Sequence, residues 1–197
     1  MKTNKIEFTT ANVSTAVPSL TQETEKLADC GGLGRREKMK LVLITEELAE
    51  AVKNLINYGA AVFCAENKGN EYTISFTIKP DKTIYNDERK KLISYSTSGK
   101  NASATGVSGK IREMAEKVIA DHLELKEMNA SNLIGHRNEA FLSDGSVVWS
   151  LTSYRSDAEE GTEEWDELEM SILANAADEI TVGVMGGIVE INAYKKF

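Results

Sequence analysis

The spacing of Leu41, Ile44, Leu48, Ala51 and Leu55 constrains the fold more than any other feature of the chain. These residues recur at i, i+3, i+7, i+10 and i+14, which puts an apolar stripe along one side of an α-helix. The pattern predicts a helix from about Arg36 to Tyr58 with that stripe turned towards a core. The other side then carries Glu47, Glu50, Asn54 and Asn57, three or four residues apart, as one continuous polar ridge. Such a ridge is either a solvated face or one wall of a binding site. A carboxylate one turn before an amide can order or deprotonate a hydroxyl, and the amide oxygen suits a hard cation such as Mg²⁺.

The elements around this helix follow from shorter patterns. KIEFTT (5–10) alternates as a short strand does, and Ser14 is placed to cap a helix that carries Val17, Leu20 and Leu27. That helix is expected to stop at Gly31-Gly32, where positive φ costs little. EYTISFTIK (71–79) reads as a strand with Tyr72, Ile74, Phe76 and Ile78 on one face, ended by Pro80-Asp81. Residues 96–110, rich in Gly, Ser and Lys, read as a loop, followed by a helix from about Lys110 to Glu124 with Ile111, Met114, Val118 and Ile119. A turn at Asp144-Gly145 leads into a strand that continues to 156. Thr162 can cap a helix with the stripe Trp165, Leu168, Ile172 and Ala176. The chain ends in two alternating runs around Gly186-Gly187, a hairpin signal. The resulting order is β-α-α-β, an irregular insertion at about 81–140, then β-α-β-β. This predicts one α+β domain over 1–197, a two-layer sandwich with a mostly antiparallel sheet covered by helices on one face.

Composition narrows the chemistry. The net charge of −8 over 197 residues, with no basic patch, argues against a nucleic-acid surface. Two cysteines without CxxC spacing and two histidines do not compose a Cys/His zinc site. His122 and His136 lack partner motifs, and Trp149 and Trp165 are expected in the core. No apolar run opens the chain, and none approaches the roughly 18 residues that span a bilayer, so a cytoplasmic protein away from membranes is expected.

EAVKNLINYG (50–59) resembles the N box of the GHKL ATPase/kinase superfamily, especially its anti-sigma-factor serine kinase branch. Glu50, Ala51, Val52, Asn54, Ile56 and Gly59 fall in register, with Tyr58 where that branch commonly has His. SILANAADEITVGVMGGIVEINAYKKF (171–197) is similar to the helix and hairpin that end the family. The resemblance covers roughly 4–80 and 145–197, and implies a Bergerat-like ATP-binding fold. It implies Glu50 as general base, Asn54 as the Mg²⁺ ligand that brings the metal to ATP phosphates, and a protein partner, with a homodimer compatible. The family's D-x-G-x-G box is matched in part by DAEEG (157–161), which keeps Asp157 and Gly161 as nucleotide-binding candidates but has Glu159 at the middle glycine. PDKTI (80–84), with Asp81, is the rival position. Gly99, Gly106 and Gly109 beside Lys100 and Lys110 could form a displaced lid.

Three functions follow. The first is an ATP-binding regulator resembling the serine kinases. The second is the same scaffold without nucleotide, acting as a protein-interaction module, which the missing glycines favour. The third is a nucleotide pyrophosphohydrolase, because EELAE (46–50) with Glu163 and Asp166 is similar to the metal motifs of those all-α enzymes.

Overall fold

The computed structural model describes residues 3, 5–9, 11–55, 58–80, 106–131, 147–185 and 188–197. In chain order these form β1 (Ile6–Phe8), α1 (Val13–Cys30), α2 (Arg35–Lys53), β2 (Tyr58–Lys68), β3 (Glu71–Pro80) and α3 (Gly106–Ser131). Then come β4 (Val147–Ser150), α4 (Leu151–Asp157), α5 (Glu163–Met170), α6 (Ile172–Ala176), β5 (Glu179–Met185) and β6 (Ile188–Lys196). The six strands make one sheet in the order β1-β2-β3-β6-β5-β4, with every neighbouring pair antiparallel. The expected α+β architecture with an antiparallel sheet is therefore what the chain adopts.

The sheet has two unlike faces because its strands alternate. Ala61, Phe63 and Ala65 of β2, Tyr72, Ile74, Phe76 and Ile78 of β3, and Val189, Ile191 and Ala193 of β6 are buried in a single core. Phe76 sits at its centre, 5.4 Å from Phe63 and edge-on to Phe8 at 6.1 Å between ring centroids. Rings buried in this way contribute about 1.5–3 kcal/mol each. The opposite face carries Thr73, Ser75 and Thr77 with Glu190, Asn192 and Tyr194, and lines a shallow trough of about 530 Å³. An antiparallel sheet tolerates this asymmetry, one face on the core and one polar.

The helices contribute the other half of the core. Leu41, Ile44, Leu48, Ala51 and Leu55 are all buried, as the spacing of the stripe requires. Leu20, Leu27 and Ala28 of α1 pack into the same cluster. Between α1 and α2 the buried hydroxyls of Thr24 and Thr45 meet at 3.0 Å. One donates to the other, and the carbonyl four residues back in each helix, Leu20 O or Leu41 O, offers the remaining acceptor at 3.0 Å. Arg155 donates to the carbonyls of Ala174 and Asp178, holding α4 to the segment that enters β5.

Several expectations change. The long helix ends at Lys53 rather than Tyr58, because buried Leu55 carries the chain into the core and β2 begins at Tyr58. Strand β2 itself was not expected, since its inward positions Ala61 and Ala65 are small and helix-favouring. α1 starts one residue before Ser14, with Asn12 at the cap position, where the Asn12 side chain accepts from Thr9 N–H at 2.7 Å. The expected strand to 156 is only Val147–Ser150. Ser150 then accepts from Ser153 N–H and starts α4, so Asp157 ends a helix rather than a strand. The expected final helix breaks at Ser171 into α5 and α6, leaving Ile172 exposed. Gly106, Gly109 and Lys110 belong to α3, which removes them from a lid loop, while Gly99 and Lys100 lie outside the described residues. Asp144-Gly145, Gly186-Gly187, Asp81 and His136 also lie outside them. Trp149 and Trp165 are half-buried rather than core residues.

α1 stops where the glycine pair predicted, with Gly32 at φ 74°. Gly31 meets a separate constraint, because a Cβ there would lie 1.8 Å from Tyr72 Oη and 3.0 Å from Tyr72 Cζ. Gly31→Ala should therefore destabilise the fold by about 1–3 kcal/mol in denaturant unfolding, the range for overpacking. In a Tyr72→Phe background the loss should shrink, since the nearest obstructing atom is gone. Equal losses in both backgrounds would contradict this contact.

Candidate functional site at the end of α2

The polar ridge of α2 runs through half-buried Glu47 to exposed Glu50 and Asn54, while Asn57 lies outside the described residues. The Asn54 side chain donates Nδ2–H to Glu50 Oε1 at 3.1 Å. Lys53 Nζ reaches both oxygens of the same carboxylate, at 3.1 and 3.0 Å. The structure thus brings together the two residues singled out from the sequence, and adds Lys53. The signal for Lys53 was present, since glutamate three residues before lysine is a helical ion-pair spacing.

Local folding explains the cluster's position. Asn54 is the C-cap of α2, with its own N–H bonded to Glu50 O at 3.1 Å, and Leu55 N–H closes a tighter turn onto Val52 O. The last carbonyls of a helix carry the negative end of its dipole, so this end favours cations. Lys53 satisfies that preference and bonds Glu50 directly, which holds the Glu50 carboxyl below the ordinary glutamate range. Partial burial opposes the shift and the Asn54 amide adds to it. Because Asn54 offers its nitrogen to Glu50, its oxygen is the atom left to face a hard cation.

Mg²⁺ commonly takes only one or two protein oxygens, and the Asn54 amide oxygen is one such ligand type. The cluster does not make a metal cage. Among the described residues no group of three or more His, Cys, Asp or Glu side chains is placed to hold a metal ion. The six-stranded sheet also departs from the helical bundle that the pyrophosphohydrolase reading needs.

Asp157 and Gly161 lie at and just beyond the end of α4. Asp157 is the exposed last residue of α4, and Gly161 sits in an exposed turn at φ 85°. α4 packs on β4 and β5 and is tied by Arg155 to Ala174 of α6, which in turn packs on α2. Beyond α2, Tyr58, four residues after Asn54, pairs with Pro80 at the end of β3. Elsewhere Cys30 is an exposed thiol and Cys64 a half-buried one, both free. No helix among the described residues is long and apolar enough to cross a membrane. No protein-family model and no curated protein sequence matches the chain.

The Lys53 contact predicts a titration. Glu50 should ionise below the usual glutamate range in NMR titration, and Lys53→Met should raise its midpoint towards that range. A carboxyl lowered in the folded state stabilises above the unfolded pKa, and that gain is lost as pH falls through the folded value. With the Glu50 side chain 55% exposed, the associated stability should stay below about 0.5 kcal/mol after solvent screening. An unchanged midpoint in Lys53→Met would contradict the ion pair as its cause.

Proposed function

We propose that this protein is a regulator that binds Mg-ATP against the C-terminal end of α2, in the manner of the anti-sigma-factor serine kinases its sequence resembles. The observation that carries this reading is the Glu50–Asn54 hydrogen bond at the cation-favouring end of the helix. In this reading Asn54 turns its amide oxygen to the metal. Glu50, kept ionised by Lys53, would orient an attacking hydroxyl or water and take up its proton as the new oxygen–phosphorus bond forms and the bond from the γ-phosphorus to the β–γ bridging oxygen breaks, with ADP leaving. A carboxylate held this low is a weak base, so positioning of the nucleophile carries more of its role than proton capture.

A second reading keeps the scaffold and dispenses with nucleotide. It is favoured by Glu159 standing where the family's box has its middle glycine, and by the polar trough on the sheet as a surface for a protein partner.

Isothermal titration of ATP and ADP with Mg²⁺ separates the two. The first reading predicts micromolar binding, weakened about tenfold or more by Asn54→Ala, a loss of about 1.4 kcal/mol. Glu50→Ala should keep binding and abolish phosphate transfer or hydrolysis. Absence of heat with both nucleotides would overturn the first reading and leave the second.

A further inference from the structure

Between α1 and α2 lies a groove of about 470 Å³, lined by Leu33, Met39 and Val42 with Glu25, Arg35 and Lys38 at its rim. Arg35, Lys38, Met39 and Val42 stand at i, i+3, i+4 and i+7 on α2, so they share one face of that helix. Met39 is 51% exposed, an unusual position for a large apolar side chain on a helix that is otherwise well packed. Lys38 is paired with Asp29 at 2.6 Å, whereas Arg35, Arg36 and Lys40 make no ion pair among the described residues. Three like charges in the first turns of a helix oppose its dipole, and Glu37, bonded to Gly34 N–H at 2.8 Å, offsets this only in part.

The complementary surface is on α5. From 157 to 169 the chain carries acidic residues and no basic ones. Asp166, Glu169 and Met170 stand at i, i+3 and i+4, which repeats the Arg35, Lys38 and Met39 spacing with the charge inverted. All three are exposed, Met170 by 78%, and Ile172 beyond them is 48% exposed. Leu168 on the other side of α5 is buried, and α5 packs on α3 and α6, which fixes it in its own molecule.

We propose that the α1–α2 groove is a docking site for the acidic face of α5 from a second copy of this chain. Met170 and Ile172 enter between Leu33, Met39 and Val42, while Asp166 and Glu169 meet Arg35 at the groove's rim. The two surfaces differ, so the contact is head-to-tail and each molecule keeps one surface of each kind free for the next. An interface built on two short helix faces is small, so the association is weak and salt-sensitive. This inference does not depend on nucleotide binding.

Sedimentation velocity over a concentration series tests it with the full chain. The parent protein should self-associate, about tenfold more weakly at high salt than at low salt. A groove variant, Arg35→Glu with Met39→Glu, and a helix variant, Glu169→Lys with Met170→Lys, should each be monomeric. Both change exposed side chains, and their thermal unfolding should follow the parent's. Mixed in equal amounts they should form a dimer that grows no further, because the mixture holds one intact groove and one intact α5. A monomeric parent at every concentration would overturn the proposal. Variants that associate like the parent, or folded variants that stay monomeric when mixed, would overturn it as well.

Discussion

Everything in this molecule depends on α2 lying with its apolar stripe on the buried face of the sheet. Leu41, Ile44 and Leu48 are almost wholly removed from water, in one core cluster with Phe63 and Phe76. Once that face is fixed, the rotation of the helix is fixed too, and the ridge of Glu50 and Asn54 has to point outward. The Thr24–Thr45 pair sets the neighbouring helix against it, since slippage between α1 and α2 would separate two buried hydroxyls and expose each to the cost of an unmet hydrogen bond. The candidate site is therefore a consequence of core packing and needs no strained backbone to hold it.

The two ends of α2 have opposite electrostatic character and opposite relations to the helix dipole. At the C-terminal end Lys53 lies where the dipole favours it, and Glu50 is stabilised through that lysine. At the N-terminal end Arg35 and Arg36 lie where the dipole disfavours them, by about 0.3–1 kcal/mol per charge. Arg35 also borders the groove beside Met39.

Sequence patterns read well where one period dominated. The stripe of α2, the alternation in β3 and the terminal β5–β6 hairpin are long or regular, and burial follows them residue by residue. β2 was hidden because Ala61 and Ala65 carry its inward face on either side of Phe63, and alanine gives no strand signal. α4 was hidden because Thr152, Ser153 and Tyr154 look like strand residues, while its start is set by the Ser150 cap and by Glu179, which accepts from Thr152. At the site, Glu50 and Asn54 were legible because helical spacing alone makes them neighbours. Asp157 and Gly161 were chosen on the assumption of a strand running to 156, and a helix that ends at Asp157 stands there instead. Contacts set by tertiary packing, such as Pro80 beside Tyr58, leave no mark in local sequence.

The proposed Mg-ATP site is the end of α2. The most direct measurement is NMR of the labelled protein with Mn-ATP in place of Mg-ATP, because the paramagnetic ion broadens only nearby amides. The account predicts selective loss of signal from Glu50, Lys53, Asn54 and Leu55, reversed by excess Mg-ATP. Broadening centred on Asp157 and Gly161, or none anywhere, would contradict it.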